Sequence, residues 1–213
     1  MRVHFLGTGT SFGVPVIGCS CGTCRSRDPR DARYRSSALV TGAGAAVLID
    51  AGPEFRLQAR RAGLGLRPGI ERLDALLLTH AHADHVAGLD DVRPLTSERV
   101  LPVYGNTAAI AETRDRFDYV FRETQIGGGK PRIELREAPE LPFQVGGLGI
   151  RAIPLLHGAL GILGWRFGRF AYITDCSSIP EPSLGLLEGV EVLAINGLRW
   201  RPHATHFTVD QGI

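Results

Sequence analysis

Lysine is almost absent: of 24 basic residues only Lys130 is lysine, and 22 acidic residues bring the net charge to +2. So balanced a chain has no global electrostatic case for a nucleic-acid or membrane-surface partner. The arginine skew reads as genome composition rather than a binding surface. No apolar run approaches the roughly 18 uncharged residues of a membrane span. The opening stretch, Met1 to Gly7, holds too few apolar residues for a signal peptide, so a cytoplasmic location is expected. No fixed-period repeat is present. Gly7-x-Gly9 follows a strand but precedes no helical pattern, which argues against a dinucleotide-binding fold. Four cysteines occur, and Cys19, Cys21 and Cys24 fall within six residues. Cysteines so close rarely make sound disulfides with one another. In a reducing compartment such a cluster reads as metal-binding. Cys176 reads as a small buried residue.

At 213 residues the chain lies between one and two average domain lengths, and residues 1–213 are expected to form one domain. Apolar residues at 44% and charged residues at 22% exclude disorder, collagen and coiled coil. A strand over Val3–Leu6 runs into Gly7-Thr8-Gly9-Thr10. Residues 13–33, rich in Gly, Pro, Cys, Asp and Arg, form a long functional loop. Ser37–Val40 and Ala45–Ile49 form a hairpin. Helices are expected over 53–62, 84–95 and 107–117, and a short helical piece over 184–187. Strands are expected over 73–78, 102–104, 133–135, 143–145, 148–155, 164–167, 170–174 and 190–195. Gly127-Gly128-Gly129 marks a flexible break. Thr208-Val209-Asp210-Gln211 fits a capping box, which starts a helix.

The chemistry concentrates in Thr79-His80-Ala81-His82-Ala83-Asp84-His85: three histidines and a carboxylate directly after an apolar strand. His80 and His82 are two apart, so an extended segment presents both to one side. Asp84 and His85 then turn into a helix. Two imidazoles can meet one cation, and a carboxylate plus an imidazole a second. Imidazoles suit Zn, Mn, Fe and Ni, and a carboxylate shifts the second position toward Mn-like ions. His157 and Asp175 stand where strands stop. A hydrogen-bonded structural histidine and a turn residue are the competing readings of these two. A carboxylate shared by two cations suits their spacing of about 3.5–4 Å in two-metal hydrolysis, and Asp175 can supply it. His4 reads as a packed core histidine, and Arg93 with Asp90-Asp91 as ion pairs that brace the metal loop.

The run His80-x-His82-x-Asp84-His85, with His157 and Asp175 downstream, resembles the metallo-β-lactamase superfamily. Within it the chain is similar to the PhnP-type phosphodiesterases, accessory enzymes of phosphonate breakdown. That likeness rests on Gly7-Thr8-Gly9-Thr10-Ser11, Cys19-x-Cys21-x-x-Cys24, Gly88-Leu89-Asp90-Asp91-Val92-Arg93-Pro94, Thr174-Asp175-Cys176 and Pro202–Thr208. The resemblance implies an α/β fold, a four-layer αββα sandwich, and cleavage of a small cyclic phosphate or phosphodiester. It implies two divalent metals, Zn or Mn: His80, His82 and His157 on the first, Asp84 and His85 on the second, and Asp175 bridging. A hydroxide activated by the two cations would attack. The spacing His206-x-Thr208 resembles the ribonuclease Z relatives and makes His206 the general acid, with His203 as second choice; Asp84 completes the candidate catalytic set.

The family pattern continues beyond the last helix into a further strand and a Thr-His-x-x-x-His-like tail that these residues do not include. A more weakly held second metal, an incomplete zinc site at Cys19, Cys21 and Cys24, and a homodimer closing an uncovered sheet edge are the resulting expectations. Thioester or lactam hydrolysis is disfavoured, because many lactamases carry Cys where Asp175 stands. A ribonuclease Z role needs an RNA-gripping arm, and no inserted basic segment is present. The alternative is an impaired member with a ligand-binding or cofactor-assembly role, as in PqqB-like relatives.

Overall fold

A computed structural model describes residues 1–67, 70–123 and 129–213. Of the break expected at Gly127-Gly128-Gly129, the first two residues lie outside them. β1 (Arg2–Gly7), β2 (Ser37–Gly42), β3 (Ala45–Ile49), β4 (Ala75–Leu77), β5 (Leu101–Gly105) and β6 (Ile133–Glu137) form a six-stranded sheet in that spatial order. β1, β2 and β3 pair antiparallel, while β3 through β6 run parallel. Parallel neighbours need crossovers. These are α1 (Phe55–Ala62), then α2 (Ala83–Val86) with a 3₁₀ segment at Leu89–Thr96, then α3 (Thr107–Arg116) with α4 (Asp118–Phe121). β7 (Phe143–Val145), β8 (Leu148–His157), β9 (Leu160–Phe167) and β10 (Phe170–Ile173) form an antiparallel meander. β11 (Val192–Ile195) joins β10 in parallel as the edge of this second sheet, after α5 (Glu181–Gly185).

Period-two alternation explains the layering. Along β3, Val47 and Ile49 point between the sheets with Trp165, Phe167 and Tyr172, whereas Ala46 and Leu48 point to the other face against Phe55, Leu89 and Val92. Every β3 residue is therefore buried, as a strand covered on both faces must be. On the far side of the second sheet, Ile153, Leu155, Ala171 and Ile173 pack under Leu186 and Leu187. The order is helix, sheet, sheet, helix, the α/β sandwich expected. No helix of the described residues is long and apolar enough to cross a membrane.

Four local expectations change. The helix over 84–95 is two pieces, α2 and the 3₁₀ segment. A Cβ at Gly88 would lie 2.0 Å from the Gly52 carbonyl, so glycine stands at the junction, where the backbone at φ −88° and ψ 9° leaves the α-helical range, and Pro94 removes a donor. Asp90 accepts from the Tyr119 hydroxyl at 2.5 Å and Arg93 donates to the Gly129 carbonyl at 2.9 Å, so the proposed ion-pair brace is a pair of other contacts. β8 and β9 extend toward each other as far as His157 and Leu160. Gly158, at φ +62°, makes the tight turn and frees His157 to end a strand rather than follow one. His4 is half-buried on β1, not a core residue. The capping box is present: Thr208 N–H donates to Gln211 Oε1 at 2.9 Å, Gln211 N–H donates back to Thr208 Oγ1 at 3.3 Å, and α6 (Val209–Gly212) follows.

Candidate metal centre

Loops at the ends of both sheets meet at one edge of the sandwich. β4 delivers Thr79 and His80, both buried. His82, in extended conformation at the start of α2, turns the chain so that Asp84 and His85 lie on the helix. β8 delivers His157. After β10 comes Asp175, with φ +53°, a left-handed conformation uncommon for a non-glycine residue. The loop after β11 delivers His206.

The donor atoms of His80, His82 and His157 lie within 4.8 Å of one another. So do those of His80, His85 and Asp175, and those of His157, Asp175 and His206. Asp175 Oδ2 is 3.1 Å from His85 Nε2 and 3.8 Å from His80 Nε2, and Asp175 Oδ1 is 3.9 Å from His206 Nδ1. Asp84 Oδ2 is 3.3 Å from His85 Nε2. His157 Nδ1 donates to the Thr205 carbonyl at 2.7 Å, which leaves Nε2 with its lone pair. The structure thus brings together His80, His82, Asp84, His85, His157, Asp175 and His206. Exposed His203 stands behind His206, its ring centroid 4.9 Å away. Cys19, Cys21 and Cys24 form a separate group, their sulfurs within 4.8 Å of one another. Val16 N–H donates to Cys24 Sγ at 3.3 Å.

One residue of the site escaped the sequence reading. Asp50, wholly buried at the end of β3, accepts from Thr79 N–H and from Thr79 Oγ1–H, each at 2.8 Å, and from His85 Nδ1 at 2.7 Å. Its backbone is also left-handed, at φ +58°. Thr79 Oγ1 lies 3.0 Å from His80 Nδ1. One carboxylate and one hydroxyl therefore engage the Nδ1 atoms of two imidazoles and turn both Nε2 atoms toward Asp175. A carboxylate closing the apolar run Ala45–Ile49 is the signal that could have found it.

Protonation divides the cluster. Burial, with His85 beside it, pulls the His80 imidazole down to about 2, so it is neutral. Burial works against ionisation of Asp175, yet the His85 hydrogen bond and the charges on His85 and His80 hold its carboxyl well below the usual range. Asp84 shifts down likewise, with His85 again outweighing burial. For His85, burial is outweighed by Asp50 and Asp175, which raise it well above an ordinary histidine. The neutral His80 imidazole beside the ionised Asp84 and Asp175 carboxylates forms a mixed N/O donor set of the kind divalent transition metals take, and His85 would give up its proton to join it. Among the described residues no lysine or arginine neutralises Asp84 or Asp175. The donors present fit a divalent-metal centre.

Beside the cluster lies a cavity of about 610 Å³, within the range of small-molecule sites. The segment Gly7–Phe12 forms one wall, Tyr172 and Thr174 part of the floor, and Asn196–Arg199 the other wall. A Cβ at Gly7 would lie 2.0 Å from the Arg35 carbonyl, which is why glycine stands at this close approach.

Residues 45–213 match the Beta-lactamase superfamily domain. The chain belongs to the metallo-β-lactamase superfamily. Over 98% of its length this superfamily member is similar to a solved diphosphatase of the PhnP family, with 41% identity and a TM-score of 0.86, covering 78% of that chain. An octanoyltransferase of Porphyromonas gingivalis is 45% identical over all of this chain but only 42% of its own length. A ribonuclease Z of Bradyrhizobium diazoefficiens is 32% identical over 73% of this chain and 50% of its own. The chain thus spans about half the length of these two curated relatives.

Proposed function

We propose that this chain is a metal-dependent phosphodiesterase, with residues 1–213 as one hydrolase domain, acting on a small cyclic phosphate or phosphodiester. The observation that carries the reading is the place of Asp175, whose two oxygens face His80 and His85 on one side and His206 on the other. The PhnP-family diphosphatase and the ribonuclease Z support the reaction class.

In this reading His80, His82 and His157 hold one divalent cation, Asp84 and His85 hold a second, and Asp175 is shared. Zinc and manganese are the ions proposed. When bound, the cations supply Lewis acidity toward phosphoryl oxygens and a nucleophile at neutral pH. The chain's own residues do the rest. Asp50 and Thr79 hold the Nδ1 side of His85 and His80, so that both rings keep one orientation. His206 hands a proton to the departing oxygen, with His203 beside it toward solvent. The cavity wall Gly7–Phe12 seats the ester and limits water. Cys19, Cys21 and Cys24 supply three of the four ligands of a structural zinc ion. Their proximity as thiols suits a reducing, cytoplasmic setting.

The test is turnover of bis-p-nitrophenyl phosphate by chelator-stripped protein reloaded with Mn or Zn. Hydrolysis that returns with metal and is lost in Asp175→Ala supports the reading. No hydrolysis by wild-type protein shown to hold metal sinks it.

A further inference from the structure

The cavity wall Gly7–Phe12 is held unevenly. Gly9 is tied on both sides: its N–H donates to the Tyr34 carbonyl at 2.7 Å, and its carbonyl accepts from Ser36 Oγ at 3.1 Å. Thr10, Ser11 and Phe12 are all exposed, and the bonds from Gly13 N–H to the Thr10 carbonyl and from Phe12 N–H to Thr10 Oγ1 are local. Among the described residues one hydrogen bond fastens this stretch to a distant part of the chain: Arg35 Nε donates to the Ser11 carbonyl at 2.9 Å. The guanidinium is fixed at its other end, where Nη1 pairs with the Glu54 carboxylate, and the two side chains are only 26% and 18% exposed. Glu54 holds the N-cap position of α1, yet its side chain makes no capping hydrogen bond. Side-chain oxygens there commonly accept from the first turn; this carboxylate faces Arg35 instead. The neighbouring backbone carries the connection on to the metal run. Ala51 N–H donates to the His85 carbonyl at 2.8 Å, and a Cβ at Gly52 would lie 2.2 Å from the Asp84 carbonyl and 3.6 Å from Arg35 Cβ. A planar fork serves a carbonyl and a carboxylate at once in fixed directions, which an ammonium on a flexible stem does not.

We propose that Arg35 is a positioning residue: held by Glu54, it sets the place of Thr10–Phe12 relative to the metal centre and thereby how tightly a substrate is seated. Arg35 does not line the cavity, so it acts through Ser11. The kinetic part of the inference rests on the phosphodiesterase reading; the anchoring of the wall does not.

The experiment uses Arg35→Met combined with Glu54→Gln, which removes the guanidinium without leaving a half-buried carboxylate unpaired. Hydrogen exchange read by mass spectrometry tests the anchor without turnover. Exchange over residues 8–14 becomes about tenfold faster, while residues 80–88 are unchanged. Unchanged exchange over 8–14 overturns the proposal. In the metal-loaded protein KM for bis-p-nitrophenyl phosphate rises about tenfold and kcat stays within about twofold, as for lost seating rather than lost chemistry. Loss of metal, or a fall in kcat with KM unchanged, makes the pair a structural brace and overturns the positioning role. Arg35→Lys keeps the charge opposite Glu54 without the fork, so its thermal midpoint lies near that of wild type while KM stays raised. A KM that follows the midpoint through the variants overturns the proposal. If metal-loaded wild type cleaves nothing yet exchange over 8–14 depends on Arg35, the phosphodiesterase reading falls and the anchor stands.

Discussion

The Asp50 carboxylate lies 2.7 Å from Nδ1 of His85, and both side chains are almost fully shut off from water. A buried carboxylate is costly unless its oxygens are engaged. Here Thr79 engages them from backbone and side chain at once. The unusual backbone of Asp50 is thereby tied to a specific task, holding a ring of the metal centre in place.

Asp50→Asn keeps the shape and removes the charge. Metal affinity is expected to fall about 10–100-fold, as for other residues that orient a ligand from behind. Competition with a chromophoric chelator measures it. An unchanged affinity in a folded variant contradicts the role.

Asp175 and His206 separate by the same logic. Asp175→Ala loses metal and activity together. His206→Ala keeps its metal and loses about 10²–10⁴ in kcat, the usual worth of a general acid. Metal per chain after gel filtration distinguishes the two. Equal metal loss in both variants makes His206 a ligand and removes it as the acid.

Tyr119 on α4 braces the 3₁₀ segment behind the metal run through its 2.5 Å bond to Asp90. Burial and that bond push its hydroxyl up to about 12, from an ordinary value near 10. The folded value is the higher one, so the stabilisation is complete below about pH 10 and fades as pH rises through 12. Tyr119→Phe should cost about 1.5–3 kcal/mol at neutral pH. The gap to wild type in urea unfolding should narrow between pH 10 and 12; a gap that widens there disproves the assignment.

The four thiols should fall into two classes. Burial pushes Cys176 up to about 11, while Cys19 and Cys21 are exposed and Cys24 half-exposed. Reaction rate follows thiolate and access. With chelator present at pH 8, a disulfide reagent should titrate three thiols quickly and the fourth only on unfolding. One equivalent of zinc should protect those three. Absence of protection refutes a zinc site there.

Gly88→Ala tests the close approach of Gly88 to Gly52. The new methyl would meet the Gly52 carbonyl at 2.0 Å, which cannot yield without moving the turn before α1. A loss of about 1–3 kcal/mol is expected, and the same substitution at open Gly185 should cost far less. Equal effects on thermal unfolding at the two glycines count against this packing.

What is local in the chain was legible in its residues. The run His80–His85 places its candidate ligands within a strand end and one helical turn, so spacing alone predicts that they converge. The hairpin through Thr41–Gly44, the paired apolar faces of Ala45–Ile49 and the capping box at Thr208–Gln211 likewise depend on neighbours a few residues apart. Tertiary structure decided the rest. His157, Asp175 and His206 stand on separate strands and loops. No spacing rule predicts that their donors meet within 4.8 Å, because that distance is set by how two sheets stack. Asp50 was silent because its partner His85 is 35 positions away. The need for glycine at position 88 was hidden for the same reason: the carbonyl that leaves no room for a side chain belongs to Gly52, brought there by the crossover from β3.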